Sequence, residues 1–365
     1  MNPQIKVIED EEILKFTLSG VDLSLANALR RIMLNDIPTV VFRTETYNDN
    51  QCKIAVNTSR LHNEIIKQRL SCIPIHSTDH SILPGNYTLE LDVTNEEDHI
   101  IFVTTEDFRI KNKTTGNFMT KEETVLIFPP NKKTGYFIDF IRLRPAIGDI
   151  QAEQIKLSCE FSIASVEINS MFNVVSKCAY AFTVDPIAAN KAWTETENKM
   201  ASEGMTEKEI EFSKKNFMLL DAQRYYVKDS FDFVVRSVGV YTNIEIVKLA
   251  CKIMQRRLLN IVELIESDAM MIELSETTMD NCYDITLENE DYTIGKPIEY
   301  YLYENLFNGK KKLTFCGFKK THPHNSYSMI RLAYEAPVDK HMIRSDLKEA
   351  CVSIQEVFVN IHKMM

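Results

Sequence analysis

The chain has 365 residues and a formal net charge of -10 at pH 7, enough length for two or three domains with proper cores. Its acidic balance argues against a surface built mainly to hold nucleic acid, since phosphate binding requires clustered Lys and Arg. No run reaches the apolar length of a membrane span, and Met1-Asn2-Pro3-Gln4-Ile5-Lys6 lacks the apolar stretch of a signal peptide, so a soluble intracellular protein is expected.

In chain order, residues 5–8 and 13–18 flank the acidic run Glu9-Asp10-Glu11-Glu12 and read as a hairpin with a solvated turn. Leu14, Phe16 and Leu18 alternate with Lys15, Thr17 and Ser19, the period of a half-buried strand, which Ser19-Gly20 breaks. Asp22 or Ser24 can cap the helix that follows, with Leu25, Leu29, Ile32 and Met33 on one side and Pro38 past its end. A short helix with so wide an apolar stripe must lie against another element or another subunit. Successive residues stand about 100° apart, which puts Arg31 nearly opposite the stripe and Arg30 on its flank.

Residues 46–150 carry most of the scattered polar turns, with strands expected at 87–93, 100–103 and 125–128 and a helix around 61–70. Strands resume from 154 to 184. Residues 187–222 are charged and helix-favouring, with Thr206 and Glu209 spaced as a capping box and Trp193 as the anchor of a surface helix. Phe231, Phe233 and Val235 form the next strand. Thr242 and Glu245 make a second box before a helix of about six turns carrying Ile244, Val247, Cys251, Met254, Leu258, Ile261 and Ile265. Strands are expected again at 270–274 and 283–287. Next comes a helix with Ile298, Tyr301, Leu302 and Leu306 on its stripe, Lys296-Pro297 near its first turn and Asn308-Gly309 at its end. Strands at 313–318 and 329–334 and an amphipathic helix from Leu347 to Ile361 close the chain.

The eight cysteines stand apart with no Cys-x-x-Cys, as reduced buried thiols would. Cys72, His76 and His80 have the spacing of one helical face, but Pro74 forbids that helix and a structural zinc requires a fourth ligand. His322-Pro323-His324 reads as a turn between strands. No metal or other cofactor is expected.

The segment 16–41, with its core Ala26-Asn27-Ala28-Leu29-Arg30-Arg31 followed by Ile37-Pro38-Thr39, resembles the signature of the alpha-like subunits of multisubunit DNA-dependent RNA polymerases: bacterial alpha, archaeal D and the third-largest subunit of the eukaryotic enzymes. Residues 63–75 are similar to that family's lead into its insertion. Glu290-Asp291-Tyr292-Thr293-Ile294-Gly295 and the later Lys319-Lys320-Thr321-His322-Pro323 resemble the smaller partner, archaeal L and the eleventh subunit of polymerase II. Lys296-Pro297 departs from that partner's usual Asn and aliphatic pair.

The resemblance implies an α+β chain with two alpha-like dimerisation folds paired within one polypeptide, the first interrupted by a mixed, strand-rich insertion. The implied domains are 1–45 with 151–266, the insertion 46–150, and 267–365. It implies a non-catalytic assembly subunit of a DNA-directed RNA polymerase, present as one copy. Leu25, Leu29, Ile32 and Met33 would pair with Ile298, Tyr301, Leu302 and Leu306, and Arg30 and Arg31 would contact the second-largest subunit. Further implied partners are the largest subunit and a small zinc-binding subunit equivalent to the tenth, with DNA and RNA met only through the complex and no membrane. Such a fusion resembles those of nucleocytoplasmic large DNA viruses, mimivirus-like ones among them, which implies host cytoplasm and virion. Two rival readings are a transcription-factor adaptor on the same dimer fold and a magnesium-dependent nuclease or nucleotidyltransferase using Asp139 or Asp149.

Overall fold

Strands β1 (Gln4–Asp10) and β2 (Leu14–Ser19) pair antiparallel as the alternation predicts, in a computed structural model that describes residues 1–365. Leu14, Phe16 and Leu18 are fully buried. At Gly20 the backbone turns with φ of 74°, and a Cβ there would stand 2.2 Å from the carbonyl oxygen of Asn2, so glycine alone fits. Asp22 then opens α1 (Leu23–Asn35), its Oδ2 accepting from the Ser24 amide at 2.7 Å. The helix stops before Pro38, and β3 (Thr39–Val41) follows.

The middle of the chain holds β4 (Cys52–Asn57), α2 (Asn63–Ser71), β5 (Tyr87–Thr94), β6 (Ile101–Thr104), β7 (Arg109–Asn112), α3 (Lys121–Ile127), β8 (Asp139–Leu143), β9 (Gln154–Glu160) and β10 (Ser162–Ala164). They lie in a compact unit of Leu34–Ser176 and Ser237–Ile246, wider than the 46–150 expected of an insertion, because β9 is the strand that joins β4 to β5. Its sheets are ordered β4-β9-β5-β7, β6-β8 and β10-β3. Phe42, Ile66, Leu89, Phe108, Phe140 and Leu157 belong to one core, where Phe108 meets Phe128 and Phe140 edge-on at 5.2 and 5.5 Å.

One expected strand is a helix. Residues 125–128 are apolar throughout, but Thr120 caps α3: its Oγ1 accepts from the Glu123 amide at 3.2 Å, and its own amide donates to Glu123 Oε2 at 2.8 Å. Thr124, Ile127 and Phe128 are buried while Leu126 is exposed, the spacing of a helical face.

The second compact unit comprises Met1–Met33, Lys177–Arg236 and Val247–Met365. After β10 the chain continues through β11 (Val175–Val184), α4 (Pro186–Ser202), α5 (Glu207–Leu219), β12 (Tyr226–Ser237) and α6 (Asn243–Glu266). It ends with β13 (Ile272–Leu274), β14 (Cys282–Glu288), α7 (Tyr292–Leu302) with a π-helical turn at Tyr303–Gly309, β15 (Leu313–Lys319), β16 (Tyr327–Tyr334) and α8 (Lys340–Met364). The boxes at Thr206 and Thr242 form as expected, and Trp193 is buried against Phe217 with ring centroids 5.5 Å apart. Helix α7 begins earlier than Lys296-Pro297 suggested. Asp291 caps it, which leaves Pro297 inside the helix in its second turn.

Two antiparallel four-stranded sheets stand in this unit, ordered β1-β2-β12-β11 and β13-β14-β16-β15. In each, a hairpin leads into a helix, two further strands follow, the last strand of the four pairs with the second, and a long helix comes next. Phe16 stacks on Phe233 across the first sheet with centroids 4.9 Å apart. On the second, Asp284 faces Arg331 and holds it by two hydrogen bonds of 2.6 and 2.7 Å.

Candidate functional site

The short helix of each half carries the residues singled out from the sequence. Aligned on their caps, Asp22 and Asp291, α1 and α7 match position by position: Leu25 with Ile294, Leu29 with Ile298, Ile32 with Tyr301, Met33 with Leu302. Seven of these eight are at most 1% exposed. The eighth, Tyr301, is half-buried, and its hydroxyl oxygen accepts from Ser353 Oγ at 2.8 Å, so it is tied to α8 of its own half. Leu306, in the π-helical turn, is buried as well.

A cap aspartate joins the helices. Asp291 Oδ1 accepts from the Thr293 amide at 2.8 Å, and its Oδ2 receives Arg31 Nη2 at 2.5 Å. Arg31 Nε donates to Thr293 Oγ1 at 2.8 Å. Beside this, Arg257 of α6 pairs with Glu290. Burial works to raise the Asp291 pKa, but the two Thr293 hydrogen bonds and the charges of Arg31 and Arg257 outweigh it and hold the carboxyl below its ordinary value.

The placement of Arg31 therefore corrects the helical wheel. The wheel fixes the direction of Cβ, not the end of a long stem, and the Arg31 guanidinium reaches from α1 to the start of α7. Arg30 is half-buried and turns back to Asn27 on the same helix, with Nε and Nη2 at 3.1 and 2.9 Å from Asn27 Oδ1. Glu290, Asp291 and Thr293 stand in the sequence motif without a pairing role and Arg257 is not singled out there, although Asp291 at the start of an apolar helical stripe is a cap signal.

Where the cap-aligned partner of Arg31 falls, α7 has Tyr300. Its hydroxyl pKa is raised, first by burial and then by the negative charge of Asp22. Asp22, Asn27, Arg31, Tyr180, Lys296 and Tyr300 line a cleft of about 720 Å³ here.

Of the remaining chemical candidates, His76 and His80 sit against other residues of the fold and the others are exposed. His80 Nε2 lies 2.9 Å from Tyr241 Oη, which donates to the carbonyl of Pro38 at the same distance. The ring of His76 covers Gly239, and Cys72 is exposed at the end of α2. Asp139 is exposed at the start of β8, where its carbonyl accepts from Arg69, and Asp149 is exposed in a turn. The cysteines are less solitary than their spacing implied, since Cys52 and Cys159 stand opposite each other on β4 and β9. No helix is long and apolar enough to cross a membrane.

Residues 15–258 match the family model of the RNA polymerase Rpb3/Rpb11 dimerisation domain. The chain belongs to that family. Over 28% of its length it is 34% identical to DNA-directed RNA polymerases IV and V subunit 3B of Arabidopsis thaliana, covering 30% of that protein. It is 42% identical over 19% of its length to DNA-directed RNA polymerases I and III subunit RPAC1 of Homo sapiens, covering 18%. With DNA-directed RNA polymerase subunit Rpo3 of Thermococcus kodakarensis it shares 37% identity over 24% of its length and 31% of that protein. In these comparisons the chain spans less than a third of each relative.

Proposed function

We propose that the chain is a non-catalytic assembly subunit of a multisubunit DNA-directed RNA polymerase, with two alpha-like folds fused in one polypeptide. The third-subunit-like fold comprises 1–45 and 151–266, interrupted by an insertion at 46–150 that packs with flanking segments, β9 among them, into the unit of Leu34–Ser176 and Ser237–Ile246, and the eleventh-subunit-like fold comprises 267–365. One observation carries this reading: the strand order β1-β2-β12-β11 is repeated as β13-β14-β16-β15, each sheet with a short helix after its second strand and a long helix after its fourth. A chain holding both folds provides within itself the pairing that two separate subunits would make. Tethering raises the effective concentration of the two faces to roughly millimolar, which favours pairing within a single copy.

In this reading the platform brings together the largest and second-largest subunits and a small zinc-binding subunit equivalent to the tenth, and meets DNA and RNA only through them. Arg30, on the flank of α1, is the better placed of the two arginines for the second-largest subunit, since Arg31 is taken up by Asp291 and Thr293. A fusion of this kind fits a large DNA virus, with assembly in host cytoplasm and packaging in the virion. Affinity purification of the tagged chain from its native source, followed by mass spectrometry, tests the proposal. Stoichiometric recovery of two very large polymerase chains with one copy of this one is expected. Recovery without them would overturn it.

A further inference from the structure

Strand β4 is an outer strand, paired only with β9 in its sheet. In that register Cys52 faces Cys159, and each is 1% exposed. The Glu160 amide donates to the Gln51 carbonyl at 3.3 Å, so residues 51 and 160 are a hydrogen-bonded pair and the neighbouring 52 and 159 are a non-hydrogen-bonded one. Opposite Cα atoms in such a pair approach to about 4.5 Å, with side chains on the same face. A disulfide spans Cα separations of about 4.4–6.8 Å. The Cys159 thiol donates to the Glu160 carbonyl of its own strand at 3.6 Å, and the register leaves Cys52 directly across from it.

We propose that Cys52 and Cys159 are a dithiol that a peroxide oxidises to a cross-strand cystine, a modification site that fastens the outer strand to its sheet. Cys52 is the first residue of β4, so fraying of the edge exposes it first. Its thiolate attacks one oxygen of hydrogen peroxide, the O–O bond breaks, and Cys52 becomes a sulfenic acid as one water leaves. The Cys159 sulfur then attacks the sulfenic sulfur, the S–S bond forms, and a second water departs with the thiol proton. Two thiols lose two electrons and two protons in all, and the peroxide is reduced to two waters.

The test is to treat the full chain with hydrogen peroxide, alkylate it after denaturation and map its peptides by mass. Two of the eight cysteines should escape alkylation. One linked pair of peptides, containing Cys52 and Cys159 and lighter by two hydrogens, should appear and vanish with dithiothreitol. The oxidised chain should melt several degrees higher, because the bridge restricts the unfolded state. In Cys159→Ser no linked pair should form and Cys52 should remain as a sulfenic acid that dimedone traps, whereas in Cys52→Ser every remaining cysteine should stay alkylatable; should either variant fold poorly, the map of the unaltered chain decides alone. Full alkylation after peroxide, a bridge between other cysteines, or sulfinic acid at Cys52 without a link would each overturn the proposal.

Discussion

The two halves share a topology and differ in what hangs from it. In the first, α1 reaches β11 through residues 36–174, and β11 reaches β12 through the helices α4 and α5. In the second, residues 310–312 and 320–326 make the same two connections. The long closing helices, by contrast, have 24 and 25 residues. Element lengths are constrained because they bury side chains along their whole extent, whereas a connection can grow at an entropic cost that rises only with the logarithm of its length. The comparison also identifies what the fold does not tolerate. At the cap-aligned buried positions of α1 and α7 no charged side chain appears in either half.

That equivalence is most sharply broken by charge. Leu29→Asp places a carboxylate in a fully buried position without a partner and should cost about 4 kcal/mol or more. Ile298→Asp, the same change in the other half, should cost a similar amount. Urea unfolding measures both. If either variant melts like the parent chain, its stripe is not part of a core.

Next in size is a difference between the halves. Ala26 of α1 aligns with Gly295 of α7, and a Cβ at Gly295 would stand 1.9 Å from the ring of Phe318 on β15. Alanine gains about 1 kcal/mol of helix propensity over glycine, but overpacking costs about 1–3 kcal/mol, so Gly295→Ala should be destabilising on balance. In a Phe318→Leu background the clash is relieved and the same change should turn neutral or stabilising. An unchanged penalty there would mean that the ring is not what selects glycine.

These cases mark what the sequence could disclose. The boxes at Thr206 and Thr242 are visible because a Glu lies three residues on and a long periodic run follows. The box at Thr120 has the same chemistry, but only four apolar residues follow, and so short a run fits a strand equally well. The stripe of α7 was legible and its start was not, since Pro297 reads as a first-turn residue until Asp291 is seen capping six positions earlier. Arg31 to Asp291 and Cys52 to Cys159 are contacts of tertiary register, which no local period encodes.

A smaller effect tests the asymmetry of the clamp. Arg31 joins the halves in one direction, and Tyr300 takes its place in the other. Side-chain exposures of 31% for Arg31 and 29% for Asp291 place the pair near the surface, where solvent screens it. Arg31→Ala should cost about 1 kcal/mol, and Arg30→Ala, whose partner lies on its own helix, less than about 0.5 kcal/mol. Arg31→Lys keeps the charge but cannot bridge Asp291 and Thr293 with one planar group, so it should fall between parent and alanine. Equal losses for Arg30→Ala and Arg31→Ala would remove the distinction between the two arginines.

The smallest expected signal is the pH dependence of that clamp. Because the folded chain holds the Asp291 pKa below its unfolded value, the unfolded chain binds more protons there as acid is added, and stability rises with pH through this window. The contribution is fully present above the unfolded pKa, about 3.9 for an aspartate, and is lost as the pH falls through the folded one. Asp291→Asn keeps an oxygen for the Thr293 amide but removes the charge that Arg31 meets. The parent chain should therefore melt above Asp291→Asn at neutral pH, with the gap narrowing toward pH 3 as its own carboxyl becomes protonated. Other carboxylates with lowered pKa, Asp284 beside Arg331 among them, titrate over the same range in both proteins and cancel in the difference. A gap that stays constant from neutral pH to pH 3 would show that the ionised Asp291 contributes nothing to the clamp.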